Sequence, residues 1–330
     1  MRTVAFFNNK GGVGSTSLVY HLAWMFADRG CSVLAVDLDP RADLTAMFLD
    51  EAQLEQLWEG GADQTIYEAL LPLIGRVGDV SEPLLQRLTG GLHLIPGNLS
   101  LSGFEDLLSE NWPKCLDGDT SAFRVLSAFH RIVDSAATRC NADIVLLDVG
   151  PNLGAINRSA LIAASQVVVP LAPDLFSLHG MKNLGPTLRT WRTGWKKSIG
   201  ALPPDAGINL PSGDMTPVGY VVMQQGIRDS RPVKAYHRWM NRIPHIYREY
   251  ILDDAAPFEI PPDETDPHRL ALLKHYRSLM PMAMDSRKPI FYLKPADGAV
   301  GAHVEAVRAC YTDFLSLAKI IGGRAGVSIE

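Results

Sequence analysis

Lys10-Gly11-Gly12-Val13-Gly14-Ser15-Thr16-Ser17 brings together the residue types that bind phosphate. Glycines let backbone N–H groups curl around an anion, and a helix that starts at the loop adds its positive dipole end. Lys10 supplies a cation, and the Thr16 hydroxyl is of the kind that ligates magnesium directly. Two further sites in the chain carry carboxylates suited to the same chemistry. One is Asp37-Leu38-Asp39-Pro40; the other is Asp148, at the end of Ile144-Val145-Leu146-Leu147. A glycine loop alone reads equally as an empty turn, and Asp37–Pro40 alone reads also as an acidic cap on the next helix. Their occurrence together is what points to a phosphate and a divalent cation.

The elements that must hold these residues follow from apolar patterning. Val4 to Phe7 reads as a buried strand feeding the loop, and Ser17 to Arg29 as a helix with Leu18, Leu22, Met25 and Phe26 at helical spacing. Ser32 to Val36 is a strand that delivers Asp37 to its carboxyl end, where ligands bind in parallel α/β sheets. Asp50 to Gly90 reads as mostly helical, with a capping box of Thr65 and Glu68. Further strands are expected at Gly91–Pro96, Asp143–Leu147, Gln166–Leu171 and Val218–Met223. Phe123–Ala137 reads as one amphipathic helix, Lys288–Leu293 as a segment approaching the site, and His303–Ile321 as the last helix. An apolar strand ending in Asp148 offers one carboxylate to the phosphate end, where it holds magnesium through water. His93 reads as a strand-face residue without a role.

Composition sets outer limits. With 330 residues, 47% of them hydrophobic, and a mean hydropathy of +0.04, the chain is an ordinary globular protein. A net charge of −5 gives no overall signal for polyanion binding, so any nucleic-acid contact must be a local patch. Cys31, Cys115, Cys140 and Cys310 form no C-x-x-C pair, which argues against a zinc site and fits a reducing compartment. Without a signal-like segment or a membrane-length apolar run, a cytoplasmic location is expected.

The loop misses the general phosphate-loop pattern G-x-x-x-x-G-K-[ST] twice, at Asn9 and at Ser15, but matches the variant K-G-G-V-G-K-T at six of seven positions. In this it resembles the deviant phosphate loop of the ParA/MinD ATPases. Asp37–Pro40 resembles that family's D-x-D-P-Q, and the strand ending in Asp148 its Walker B strand. Val149–Gly154 resembles its switch loop, and Pro173–Gly180 a further family segment. The resemblance implies an α/β fold with a doubly wound, mostly parallel sheet and helices on both faces, a SIMIBI-like P-loop NTPase. It implies one domain over residues 1–330, with nucleotide motifs in 1–185 and a divergent part in 186–330.

The resemblance also implies ATP and Mg2+, bound by residues 10–17. Thr16 and Asp148 would hold the metal with Asp37 nearby, and Asp39 would orient the attacking water. Lys10 would reach the phosphates of a partner subunit in a nucleotide-dependent homodimer, while Gly150 and Pro151 would sense the γ-phosphate. Three departures stand out: Arg41 in place of Gln, Asp43 in place of Asn, and Ser15 in place of the phosphate-loop lysine. Loss of that lysine removes a cation from a reaction catalysed by charge and positioning. The readings left open are a slow ATPase switch, a catalytically silent nucleotide-binding scaffold, and an active parent trapped by a deliberate substitution.

Partner recognition is expected in the divergent part. Arg189, Arg192, Lys196 and Lys197 run together with Trp191 and Trp195, and Arg228, Arg231, Lys234, Arg238, Arg242 and Arg248 follow. Basic residues interleaved with aromatics can bind DNA non-specifically, as family members do, giving a nucleoid-associated protein; the alternative is a solvated face with tryptophans packed inward. An adaptor or cargo protein is expected as well. Asp253–Asp266 reads as an acidic surface loop. The short tail after Ile321 is not amphipathic, which argues against a membrane partner.

Overall fold

Short apolar runs become strands in this chain because helices cover both of their faces. The computed structural model describes residues 2–59, 65–223, 233–256, 266–276 and 278–329. Its first half contains β1 (Thr3–Phe6), α1 (Ser15–Asp28), β2 (Val33–Asp37), α2 (Asp43–Phe48), α3 (Glu51–Glu59), α4 (Ile66–Ile74), β3 (Gln86–Thr89) and β4 (Leu92–Ile95). There follow α5 (Glu105–Asn111), α6 (Thr120–Leu126), α7 (Ala128–Arg139), β5 (Ile144–Asp148), α8 (Ala155–Ala163), β6 (Gln166–Leu171) and α9 (Leu175–Ala201). The remainder is β7 (Thr216–Met223), α10 (Val233–Met240), α11 (Ile243–Ile246), β8 (Arg269–Leu273), α12 (Leu279–Ser286) and α13 (Ala302–Ala325).

The strands form one sheet in the order β3-β4-β2-β5-β1-β6-β7-β8. Pairing is parallel except between β3 and β4. Alternation along each strand divides the core. Val4, Phe6, Val33, Ala35 and Leu146 pack with α1, α12 and α13, while Ala5, Phe7, Leu34, Val36 and Leu147 pack with α4 to α9. β1, β2 and β5 are neighbours, and the register sets Phe6 and Asp37 level with Asp148. The carboxylates of two strands thus meet at one end of the sheet.

Several elements differ from the sequence reading. α1 begins at Ser15, two residues before Ser17, so the loop's last residues belong to its first turn. Phe123–Ala137 is not one helix. It is interrupted at Ser127, whose hydroxyl donates to the Phe123 carbonyl at 2.7 Å, and α6 starts earlier, capped by Asp119. The region read as mostly helical contains β3, a half-buried edge strand of Gln-Arg-Leu-Thr with no apolar run to announce it. β8 was likewise missed. The Lys288–Leu293 segment forms a 3-10 turn at Ile290–Tyr292, and the last helix runs on to Ala325. Of the acidic segment, residues 257–265 lie outside the described residues. Its final residue, Asp266, is not on the surface: it is buried and accepts a hydrogen bond from the Tyr220 hydroxyl. No helix among the described residues is long and apolar enough to cross a membrane.

α9 is crossed at Gly185 by the backbone of Tyr250 and Ile251, so closely that a Cβ there would overlap the Tyr250 carbonyl oxygen. Gly185→Ala should therefore destabilise the fold by about 1–3 kcal/mol through overpacking, despite the gain of roughly 1 kcal/mol in helix propensity. Urea denaturation measures this; an unchanged or higher midpoint would contradict the close crossing.

Candidate phosphate-binding site

The loop between β1 and α1 is held in shape by Asn8. Its side-chain amide donates to the Pro170 carbonyl at 2.7 Å, and its Oδ1 accepts from the Lys10 amide at 3.0 Å. Gly12 and Gly14 have φ of +72° and +85°, conformations that favour glycine. α1 has no side-chain cap and no acidic residue in its first turn. The amides of Ser15, Thr16 and Ser17 are thereby left for an anion, as at other helix starts that bind phosphate. These residues, together with Lys10 to Gly14, line a cavity of about 610 Å³, within the usual range for a small-molecule site.

Three carboxylates gather behind that loop. Asp37 is buried and well satisfied, accepting from the Thr45 amide at 2.8 Å, the Thr45 hydroxyl at 2.6 Å and the Asp39 amide at 3.2 Å. Asp39 is buried under Arg41, which holds its Oδ2 through Nε at 2.9 Å and a terminal nitrogen at 2.6 Å. Asp148 is buried too, yet neither of its oxygens has a hydrogen-bond partner. Burial pushes the Asp37 carboxyl up to about 7, with the Asp39 charge adding to it and the Thr45 bonds opposing. Burial, then the Asp37 charge, drives Asp148 well above the usual carboxylate range, and the nearby Thr16 hydroxyl offsets only part of this.

An orphaned buried carboxylate beside a hydroxyl fits a magnesium ion, whose charge would reverse that shift. Among the described residues no three His, Cys, Asp or Glu side chains form a metal site of their own. The remaining ligands would have to be phosphate and water, the usual arrangement for magnesium on a nucleotide. Asp148 is the unsatisfied carboxylate, while Asp37 is already occupied by Thr45.

Sequence reasoning missed the residues that brace this site. His21 lies one turn beyond Ser17, and its Nε2 accepts from the Ile290 amide at 3.1 Å. Nδ1 must therefore carry the proton, which it donates to the Ser17 carbonyl at 2.7 Å. The ring stacks on Phe314 and brings the segment carrying Arg287 and Lys288 to the far wall of the cavity. Asn157 donates to the carbonyls of Gly150 and Asn152, both at 2.7 Å, fixing the loop that contains Pro151. Pro151 in turn rests 3.5 Å from where a Cβ of Gly11 would stand. Glu105 accepts from the first two amides of α8. Single polar residues inside helices carry no pattern by which a sequence alone would mark them.

Lys10 lines the cavity but forms an ion pair at 2.5 Å with Asp174 of its own chain, and Asp174 also caps α9 through the Ser177 amide. The first basic run is largely tied inward. Arg189 donates to the Tyr250 carbonyl at 2.6 Å, Arg192 to those of Asp214 and Met215, and Lys196 pairs with Asp214 at 3.4 Å. Trp191 and Trp195 are buried, whereas Lys197 is exposed. In the second run Arg228 and Arg231 lie outside the described residues, as does the side chain of Lys234. Arg248 pairs with Asp254. Arg238 and Arg242 lie 5.0 and 5.5 Å from the Trp239 ring, and both are exposed.

Comparison with known proteins bears on this geometry. Residues 1–200 match a family described as "AAA domain". The chain is 34% identical over 190 residues to the "Putative replication protein A" of Rhizobium rhizogenes, covering 55% of this chain and 42% of that protein. It is 32% identical over 196 residues to the chromosome-partitioning ATPase Soj of Thermus thermophilus, covering 59% of this chain and 64% of Soj. The match thus takes in less than half of the first relative and under two thirds of the second. A crystal structure of a Corynebacterium diphtheriae protein superposes with a TM-score of 0.69 at 26% identity, covering 87% of this chain and 97% of that one.

Burial pushes the His21 imidazole down to about 4. A histidine depressed on folding adds stability above its unfolded pKa, near 6.5, and that stability is lost as pH falls through the folded value. Between pH 7 and pH 4.5 this amounts to roughly 2–3 kcal/mol. The His21→Gln variant should lose correspondingly less over that interval in chemical denaturation. Equal losses in the two proteins would show that His21 does not stay neutral in the fold.

Proposed function

Since the chain belongs to the ParA/MinD family of P-loop ATPases, we propose that it is an ATP-binding switch. On Mg-ATP it closes into a sandwich dimer, and in that form it holds DNA or a cargo protein for partition or positioning. The observation that carries this reading is the pairing of an uncapped, glycine-led helix start that lines the cavity with the buried carboxylate of Asp148 behind it, beside Thr16. Thr16 and Asp148 are assigned to magnesium, Asp39 to the attacking water, Gly150 and Pro151 to the γ-phosphate, and residues 10–17 to the phosphates. Lys10 is assigned to the partner's phosphates, which requires its pair with Asp174 to open. Residues 1–330 act as one unit, with Lys197, Arg238 and Arg242 among the exposed bases available to DNA. The dimer is nucleoid-bound in the cytoplasm when DNA is engaged, and an adaptor protein governs its release.

Magnesium, when bound, neutralises phosphate charge, and this chain's own groups position the nucleotide. Ser15 offers a hydroxyl and no charge, so hydrolysis is slow. A second reading, a catalytically silent scaffold, is favoured by the way Arg41 occupies Asp39.

Calorimetry with Mg-ATP, light scattering and phosphate release together test both readings. The switch reading expects heat of binding, a dimer only with Mg-ATP, slow phosphate release, and faster release in Ser15→Lys. Binding with release at background in the wild type, but steep turnover in Ser15→Lys, would leave the silent scaffold. No heat in either protein, with the fold intact, would remove both.

A further inference from the structure

Position 15 lines the cavity with an uncharged side chain, and Lys10, in the same loop, is held by Asp174 of its own chain. The three side chains buried behind that loop, Asp37, Asp39 and Asp148, are all carboxyl groups and offer no cation of their own. A triphosphate brought to this site needs more positive charge than one magnesium ion provides. Arg287 and Lys288 stand on the far wall, bonded to the Leu49 carbonyl and to Asp297, whereas Arg41 lines the cavity with its guanidinium on the buried Asp39.

The Arg41 guanidinium has two distinct edges. Nε and one terminal nitrogen hold Asp39, whose Oδ1 also accepts the Arg41 amide at 3.0 Å. The other terminal nitrogen pairs with Asp43 at 3.2 Å. Asp39 is nearly fully buried, whereas the Asp43 side chain is 51% exposed and that of Arg41 is 55% exposed. An exposed pair of this kind contributes little, so its outer carboxylate is readily replaced by a ligand anion. The inner edge fixes where the guanidinium sits: a Cβ at Gly150 would lie 3.2 Å from Asp39 Oδ1. Arg41 is thus anchored beside the loop of Gly150 and Pro151, at the phosphate end of the cavity. Its planar fork suits phosphate, and one side can stay on Asp39 while the other engages the ligand.

We infer that Arg41 is the positioning cation this subunit presents to the triphosphate in place of a lysine at position 15, exchanging Asp43 for phosphate while keeping Asp39. This rests on the nucleotide-binding reading above. It also links two departures in the sequence: the charge absent at Ser15 is returned at Arg41.

The test is calorimetry with Mg-ATP and with AMP on the wild type, Arg41→Gln, Arg41→Lys, Ser15→Lys and the Ser15→Lys/Arg41→Gln double variant. Arg41→Gln should weaken Mg-ATP by at least about tenfold, the scale of one lost charge-assisted contact, and leave AMP nearly unchanged. Arg41→Lys should fall between, and the double variant should recover affinity close to wild type. Because Arg41→Gln leaves Asp39 buried without its cation, Asp39→Asn/Arg41→Gln is measured beside it. Persistence of the ATP loss there supports a direct role toward phosphate; its disappearance would overturn it. Unchanged or tighter Mg-ATP binding by Arg41→Gln would also overturn the inference. Heat in Ser15→Lys but none in the wild type overturns the Arg41 role alone, whereas no heat in either removes the nucleotide reading with it.

Discussion

A carboxylate that is buried with neither oxygen satisfied is the condition around which this structure is arranged. Asp148 ends a strand covered on both faces, so water cannot stabilise its charge, and Asp37 stands level with it on the next strand. Such a group is costly unless a cation comes to it or it takes up a proton. The polar end of the sheet answers this with Thr16, placed by the first turn of α1, and with a loop whose amides face outward to an anion. On the proposed reading magnesium and phosphate would satisfy each other's charge here, which the protein alone does for neither.

The surrounding braces keep that end open and in register. Asn8 ties the phosphate loop to the end of β6, His21 ties the same helix to the segment before α13, and Asn157 fixes the carbonyls of the loop after β5. The first two bonds join an element that carries a site residue to one distant in sequence, and the third is local. The shape of the cavity therefore depends on the whole sheet rather than on the glycine loop alone. Gly12 and Gly14 permit the turn, but Asn8 and the α1 axis decide where it points.

Legibility in the sequence followed the strength of the local pattern. β1, β2, β5 and β6 could be read because buried parallel strands are continuous apolar runs, and the phosphate loop because its glycines and Thr16 have fixed spacing. β3 could not, since Gln86 to Thr89 are mostly polar and form one edge; β8 forms the other edge, and its run of Leu270 to Leu273 is too short to tell strand from helix. The break at Ser127 comes from a hydroxyl turned onto its own helix, which leaves no trace in apolar periodicity. Within the site, charged residues were legible as types but not as pairs. The resemblance already sets Asp148 on the metal and Asp37 near it, but only the fold shows that Thr45 holds Asp37 while both Asp148 oxygens lack a partner. The same holds for Arg189 and Arg192, which resembled a basic patch yet bond to backbone carbonyls, and for Arg41, whose grip on Asp39 depends on the turn after β2.

Backbone amide exchange tests the central claim most directly, because it reads the groups said to bind phosphate. With Mg-ATP added, the amides of Gly11 to Ser17 should become strongly protected while those of the edge strand β3 stay as they were. Unchanged exchange across Gly11–Ser17, with β1 and β5 still protected as in an intact fold, would contradict the account.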